Sequence, residues 1–358
     1  MGVSWLSHRV LNRTLLQRQH LLARTEADPL AMAGHLLGLQ AQEPLPPYLS
    51  LAARLHDFDP AALSAALEDR SAVRLLLMRG TIHLVDPRDA WLLRSFVQGF
   101  LDKVARTSVT ARDAVDVPVD ELAPAVSEVL ADDPLSPARL GEELAARFPG
   151  TPADALTHRA RYTLPLVQVP PRGLWQQPGG VAYQTLQRWA GQPPAEPDPA
   201  EVVRRYLRAF GPAAPADLTA WSGTTGARAL FASLGDELRS HTDEHGRALV
   251  DLDGLPLADS DEPAPVRLLG RYDNVWLSHD RRDRVTPEPA KRQRWMGVNG
   301  GVGSTVLVDG MLEGLWRMTE SGRVEMRLFR ALTTAERADL DAEVGRVEAL
   351  LAPAAARE

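Results

Sequence analysis

Gln40 and Gln42, separated by Ala41, could bring two neutral amides to one point. In a helix, residues two apart point about 200° away from each other, so the pair could not share a task there. Pro44 disfavours helix at Glu43, and in an extended strand side chains two apart lie on the same side. Two amides could then hold one water molecule and stabilise a developing charge. The alternative is a polar helix end that faces solvent.

The elements that must position this pair follow from the spacing of apolar residues. Apolar residues at helical spacing, interrupted by the prolines of 44–47, predict helices before and after the pair. Asp59 before Pro60 is typical of a helix start. Two strand-like runs then predict a hairpin, and helices followed by a hairpin indicate a winged helix. The predicted helices are 8–23, 29–39, 48–55 and 59–67, and the predicted strands are 72–78 and 81–85.

The same order of helices and hairpin recurs twice further along the chain, which indicates a repeated fold. The fragments 134–140 and 212–218 share their proline placement and their closing leucine. A proline-rich linker at 190–199 separates the second copy from the third. The second copy is predicted as helices 119–131, 136–147 and 151–163 with strands 166–169 and 174–176. The third is predicted as helices 199–210, 215–222 and 224–233 with strands 238–242 and 248–252.

Beyond residue 264 the pattern changes to strands separated by turn residues. The final helix, 333–351, starts at Thr333 with Glu336 three residues later, which is a capping box. The sequence therefore predicts an α+β fold of three tandem winged-helix domains and a β-rich C-terminal element. The predicted winged helices are 1–112, 113–192 and 193–263, and the β-rich element is 264–358 with strands 266–269, 304–308, 311–318 and 324–328.

The charges are segregated along the 358 residues, whose formal net charge is −7. Residues 1–24 and 155–195 contain arginines and no acid, whereas 113–143 and 236–262 are strongly acidic. A helix-turn-helix places its last helix against the major groove of DNA, and arginines bind phosphates without reading sequence. The alternatives are solvated faces or a protein-docking module. The candidate DNA contacts of the second winged helix are Arg159, Arg161 and Arg172.

Composition argues against several classes of protein. No apolar run approaches the roughly 18 residues of a membrane span, and no secretory signal is visible, so a cytoplasmic location is expected. The absence of cysteine removes disulfides, thiolate nucleophiles and Cys-ligated metals. Asp273, His279, Asp280 and Asp283 lack a recognised metal spacing, and the glycines of 297–303 lack the context of a nucleotide-binding loop. Neither a metal nor another cofactor is expected.

Five blocks of sequence, in this order, resemble the winged-helix DNA glycosylase family, and they span nearly the whole chain. The family's catalytic Gln-x-Gln motif falls on Gln40 and Gln42, as in its AlkZ type. The YcaQ type would have Asp at the second position. The five blocks are Leu39-Gln40-Ala41-Gln42, Met78-Arg79-Gly80-Thr81-Ile82-His83-Leu84-Val85, Arg271-Tyr272-Asp273-Asn274, Leu277-Ser278-His279-Asp280-Arg281 and Thr305-Val306-Leu307-Val308-Asp309-Gly310.

The resemblance implies a monomeric enzyme that removes alkylated purines from double-stranded DNA. Its substrates would include guanines tethered at N7 in interstrand crosslinks of the azinomycin type, which would give self-resistance. Such guanine is cationic and leaves readily, so Gln40 and Gln42 would orient a water near C1′. A tethered base cannot flip fully out of the duplex, and the resemblance accordingly implies a C-shaped molecule around an open channel.

Two further groups of residues are candidates to bind DNA. Arg79, Thr81 and His83 on the first hairpin could line the channel beside the glutamines, although a lone histidine on an apolar strand is often a packed residue. The segment 281–294 is basic overall and is predicted to contact phosphates, with a solvated loop as the alternative. Its candidate contacts are Arg281, Arg282, Arg284, Lys291 and Arg292.

The near absence of lysine bears on the reaction. A glycosylase with lyase activity usually needs an amine to form a Schiff base. Lys103 and Lys291 are the only lysines, and neither lies in the motif region, which predicts a monofunctional hydrolase. The main rival is a transcription regulator that binds a specific sequence and tolerates changes at both glutamines. A second rival is a DNA-binding or docking scaffold without catalysis.

Overall fold

The computed structural model describes residues 4–191, 193–194, 196–293 and 303–352. Asp28, Asp59 and Asp86 each accept backbone N–H groups at a helix start, with proline at the next position. The helix start predicted at Asp59 is confirmed, and the same rule begins a long helix that lies outside the predicted ones. The N-terminal elements are β1 (Ser4–Leu6), α1 (His8–Arg18), α2 (Pro29–His35), β2 (Leu39–Gln40), α3 (Pro46–Ala52), α4 (Pro60–Glu68), β3 (Val73–Leu76), β4 (Ile82–Val85) and α5 (Pro87–Thr107).

Helices followed by two strands occur twice more, each time with three helices before the strands and in the predicted order. The strand predicted at 174–176 is wrong, because this segment forms turns, in which Leu174 N–H donates to the Pro171 carbonyl at 3.1 Å, and the second strand of the hairpin lies at Tyr183–Thr185 instead. The second set is α6 (Val119–Val129), α7 (Pro137–Arg147), α8 (Ala153–Thr163), β5 (Leu166–Gln168) and β6 (Tyr183–Thr185), followed by α9 (Leu186–Ala190). The third set is α10 (Pro199–Phe210), α11 (Pro215–Ser222), α12 (Ala227–Ala232), β7 (Leu238–Asp243) and β8 (Ala248–Leu252).

The C-terminal part is built on a four-stranded antiparallel sheet, whose neighbouring strands are, in order, Val324–Leu328, Met311–Met318, Thr305–Val308 and Arg267–Leu269. The final helix packs its apolar residues Leu340 and Val347 against this sheet. The predicted capping box is confirmed, since Thr333 and Glu336 each bond the other's backbone N–H. The elements are β9 (Arg267–Leu269), α13 (Asn274–Leu277), α14 (Pro289–Gln293), β10 (Thr305–Val308), β11 (Met311–Met318), β12 (Val324–Leu328) and α15 (Thr334–Leu351).

Sheets join segments that are distant in sequence. The hairpins of the first two sets lie in one five-stranded sheet of order β2-β4-β3-β5-β6, where Leu75 of β3 pairs with Val167 of β5. Strand β1 pairs in parallel with β7 of the third set. The N-terminal segment is therefore tied to both later sets, and the domain limits at 112, 192 and 263 stay a prediction.

The turn before the glutamine pair decides how that pair is presented. The helix predicted to reach residue 39 ends at His35, and Leu37 and Gly38 then adopt positive φ angles of 55° and 96°. A Cβ on Gly38 would lie 2.7 Å from Val85 Cγ1, so only glycine fits there. This turn redirects the chain into β2, which pairs antiparallel with β4.

Candidate active site

The first glutamine lies in β2, opposite His83 of β4. Gln40 is 7% exposed, and its Oε1 accepts a hydrogen bond from Arg79 Nη2 at 2.8 Å. The second terminal nitrogen of Arg79 donates to the main-chain carbonyl of Trp221, at the end of α11. Burial and the nearby Arg282 lower the pKa of Arg79 to about 10, so its guanidinium is still charged at neutral pH.

The second glutamine reaches the same hairpin from the solvent side. Gln42 is exposed, and its Oε1 accepts from the backbone N–H of Ile82 at 3.2 Å. The N–H of Ala41 donates to the Ile82 carbonyl at 2.7 Å, which continues the pairing of β2 with β4. The expectation of an extended chain is confirmed from Leu39 to Ala41, whereas the chain bends from Gln42 onward. Both amides lie against residues 79–82 of one turn.

Arg74, which sequence reasoning missed, holds the main chain between the two glutamines. This buried arginine of β3 donates to the carbonyl of Ala41 at 2.7 Å and to that of Arg172 at 2.8 Å. Burial and the charge of Arg172 lower its pKa to about 10. Gly173 lies so close that a Cβ there would be 2.8 Å from Arg74 Cδ. The sequence feature that could have indicated Arg74 is a charged residue in the middle of an apolar strand.

The C-terminal part holds the same stretch from both ends. Asn274 Nδ2 donates to the carbonyls of Leu36 and Gly38, at 3.1 and 3.0 Å, just before β2. On the other side, Arg271 forms an ion pair with Glu43 at 2.7 Å, just after Gln42. The 271–274 block therefore positions the glutamine strand. These contacts form only in the folded protein, since more than 200 residues separate the partners in the sequence.

The other two hairpin candidates have different environments. Thr81 is half-buried, and its hydroxyl donates to the Met78 carbonyl. His83 is only 2% exposed, and its Nδ1 lies 3.0 Å from the Thr81 carbonyl. Burial, with a smaller effect of Arg79, lowers the pKa of His83 to about 3, so the ring is neutral. The interpretation of His83 as a packed strand residue is thus favoured over a DNA contact.

The arginines predicted in the second winged helix are not grouped at the glutamines. Arg159 is 8% exposed, which leaves its guanidinium little surface for DNA. Arg161 is half-buried, lies 5.6 Å from the centre of the Tyr183 ring and contacts His158. Arg172 is half-buried, and in the described part of the chain its bonded link to the motif runs through Arg74.

The predicted basic loop is only partly available to DNA. Arg281 is exposed, and Arg282 is half-buried beside Arg79 while its Nε donates to the Trp276 carbonyl. Arg284 is 5% exposed and donates to the Pro212 carbonyl at 2.6 Å, which leaves its guanidinium little surface for DNA. Lys291 forms ion pairs of 2.9 Å with Glu288 and Glu313. The side chain of Arg292 and the glycines 297, 300 and 301 lie outside the described residues.

The described residues contain neither a metal-binding cluster nor a membrane-spanning helix. Within residues 4–191, 193–194, 196–293 and 303–352, no group of three His, Asp or Glu side chains is arranged to hold a metal ion. In the same part of the chain, no helix is both long enough and apolar enough to cross a membrane. Asp273 has a carboxylate of the kind that binds metals, but this carboxylate forms a buried ion pair with Arg54 at 2.8 Å.

The sequence and the mixed α+β fold of this chain match those of known DNA glycosylases. The model of the family described as DNA glycosylase AlkZ-like matches residues 33–350, and the chain belongs to this family of DNA glycosylases. It is 27% identical over 336 residues to the interstrand DNA cross-link repair glycosylase of Streptomyces sahachiroi, covering 89% of each chain. The solved structure of Streptomyces sahachiroi DNA glycosylase AlkZ superposes with a TM-score of 0.81 at 23% identity, covering 96% of each chain.

Proposed function

We propose that this protein is a monofunctional DNA glycosylase that hydrolyses the N-glycosidic bond of N7-alkylated guanine. Its substrates would include guanines in interstrand crosslinks of the azinomycin type, so that it serves DNA repair and self-resistance. The observation that carries the proposal is the convergence of Gln40 and Gln42 on the turn at 79–82. The name of the Streptomyces sahachiroi relative supports crosslinked DNA as substrate.

The chemistry suits neutral amides. A guanine alkylated at N7 already carries a positive charge, so the bond to C1′ breaks with little help from an acid. The enzyme then has to hold water beside the sugar cation and stabilise the developing charge, and positioning contributes much of such a rate enhancement. His83 cannot supply a proton at neutral pH, since its pKa is about 3. We assign catalysis to Gln40 and Gln42.

Hydrolysis is favoured over a lyase reaction because neither lysine is available at the site. Lys103 is exposed on α5, and no described hydrogen bond or ion pair joins it to the glutamines. Lys291 is held by Glu288 and Glu313. A Schiff base needs a free amine close to C1′. Neither position meets that requirement.

The proposed molecule is a C-shaped, cytoplasmic monomer of three winged helices, 1–112, 113–192 and 193–263, with a β-rich element at 264–358. Double-stranded DNA would lie along the side that carries the glutamines. Arg281 and Arg282 are the candidates best placed to reach its phosphates, because Arg281 is exposed and Arg282 lies beside Arg79. Arg79 and Thr81 border the glutamines on the hairpin turn.

The test uses a DNA duplex that contains N7-methylguanine. Wild type should release the modified base, and Gln40→Ala and Gln42→Ala should each slow its release about 100-fold. Gln187→Ala removes an exposed glutamine of α9 and should behave as wild type. If wild type releases no base, the proposed function fails. If both alanine variants excise normally, the catalytic assignment fails instead.

The transcription-regulator alternative is not favoured, because the family to which the chain belongs consists of DNA glycosylases. A regulator would bind one sequence much more tightly than others and would tolerate both alanine substitutions. Binding to unmodified duplexes of several sequences, measured alongside excision, separates the two functions.

A further inference from the structure

We propose that Arg79 is a positioning residue that holds Gln40 with its amide oxygen toward the protein and its NH2 group toward the DNA. This inference rests on the proposed function and assigns Gln40 the role of hydrogen-bond donor. The acceptor would be an oxygen or nitrogen atom of the damaged nucleotide or of its water.

The orientation of the Gln40 amide follows from the chemistry of its partner. The oxygen and nitrogen of an amide are similar in size, so the hydrogen-bond network must assign them. A guanidinium can donate and never accept. The atom 2.8 Å from Arg79 Nη2 must therefore be the amide oxygen, Oε1.

The NH2 group of Gln40 is left for a ligand. Among the described residues no acceptor bonds to Gln40 Nε2, and this atom is not one of the buried polar atoms closed off from solvent. A side chain that is 93% buried therefore directs its donor at the small surface it keeps. Gln40 is buried and its amide oxygen is already hydrogen-bonded, so its NH2 group is fixed in place before a ligand binds. Such a group is a preorganised donor.

The position of Arg79 is itself fixed. Its backbone has φ of 56° inside the single turn that joins β3 to β4, and one terminal nitrogen donates to the Trp221 carbonyl of α11. Each terminal nitrogen thus already donates to a protein atom. These two bonds use two of the five N–H donors of the guanidinium, and the DNA contact expected for Arg79 from sequence would need the remaining ones.

Gln40→Glu is the sharpest test, because the two side chains have nearly the same shape. A carboxylate keeps the acceptor for Arg79 and removes the donor. On N7-methylguanine duplex we expect about 100-fold slower single-turnover excision with thermal stability equal to wild type or higher. If Gln40 instead accepts from the water as a base, the carboxylate should excise as fast as the amide or faster, which would overturn the proposal.

Arg79→Lys tests the positioning role. One ammonium cannot reproduce the two separate contacts of the guanidinium, so excision should slow about 10- to 100-fold at saturating enzyme. DNA affinity and its salt dependence should be unchanged. Arg79→Met removes the charge that Arg79→Lys keeps, and weaker binding of this variant with a salt slope lower by about one would instead identify a phosphate contact and overturn the proposal.

A double-mutant cycle tests whether Arg79→Lys slows excision only by disturbing the fold. In the Gln40→Ala background, Arg79→Lys should cause no further loss of excision, because the group it positions is gone. Additive losses would show that Arg79 acts independently of Gln40. Arg112→Lys, at an exposed arginine, is the matched control. A wild type that excises nothing would refute the proposed function, whereas these variants test the inference only when wild type is active.

Discussion

Two groups of buried arginines in this protein differ in what they bind. In the first group, three guanidiniums that join distant segments each meet a carboxylate, in the pairs Arg18–Asp251, Arg24–Glu343 and Arg54–Asp273. Around the glutamine strand, Arg74, Arg79 and Arg94 bind main-chain carbonyls and side-chain amides. In the described part of the chain, none of these three forms an ion pair with a carboxylate.

The difference separates a structural use of charge from a functional one. In the carboxylate pairs the charges cancel, and the bonds fix how distant segments meet. At the glutamine strand the positive charge stays, although burial lowers the pKa of these arginines to about 10, 10 and 9. A buried cation without a counter-ion costs stability, and it also creates a positive potential suited to a polyanion. We infer that the potential favours DNA at this side.

The largest effect is expected from breaking a carboxylate pair. Arg54→Leu leaves Asp273 buried without its partner and should lower the free energy of unfolding by about 3–5 kcal/mol. Urea denaturation measures this change, with exposed Arg112→Leu as the control. A loss below 1 kcal/mol would mean that the two groups do not differ in their structural role.

A smaller loss is expected at Arg74, in the second group. Arg74→Met removes donors from two carbonyls but leaves no buried charge behind, so the free energy of unfolding should fall by about 1–3 kcal/mol. Excision should fall further than this loss explains, since the Ala41 carbonyl loses its anchor. Single-turnover rates at a temperature where the variant is fully folded decide the point. A normal rate there would refute the positioning of the glutamines by Arg74.

The next effect is on the pH dependence of stability, and it comes from two buried histidines. His83 and His279 both have pKa values of about 3, lowered mainly by burial. Below about pH 6.5 the unfolded chain binds protons that the folded chain does not, so stability falls as pH falls, by up to about 1.4 kcal/mol per unit for each histidine. His83→Phe should lose less stability than wild type between pH 7 and pH 5. Equal losses would show that His83 titrates normally.

The smallest effect is expected from an exposed arginine. Arg281→Ala should weaken DNA binding by less than about 1 kcal/mol and reduce the salt slope by about one, as for a single phosphate contact. Arg337→Ala, an exposed position on α15, should change neither quantity. An unchanged slope for Arg281→Ala would remove the 281–284 loop from the DNA-binding surface.

Local chemistry allowed much of the fold to be predicted. Asp before Pro began α4, the capping box began α15, and alternating apolar residues placed β3, β4, β7 and β8 within about two residues. Strand β1 was missed because a strand of three residues carries little pattern and exists only through pairing with β7. The 174–176 segment was misassigned because its apolar residues pack as a loop.

The sequence by itself determined the α+β class, the repeated order of helices and hairpins, and the glutamine pair with the extended backbone at Gln40. Tertiary structure alone decided which polar groups surround that pair. Arg74, Arg79 and Asn274 lie 33, 39 and 236 residues from the groups that they bond in residues 36–42, and they meet those groups only after the sheets form. Two arginines three residues apart differ in the same way, since Arg281 is exposed and Arg284 is buried. Burial depends on the whole packed chain, and no local spacing records it.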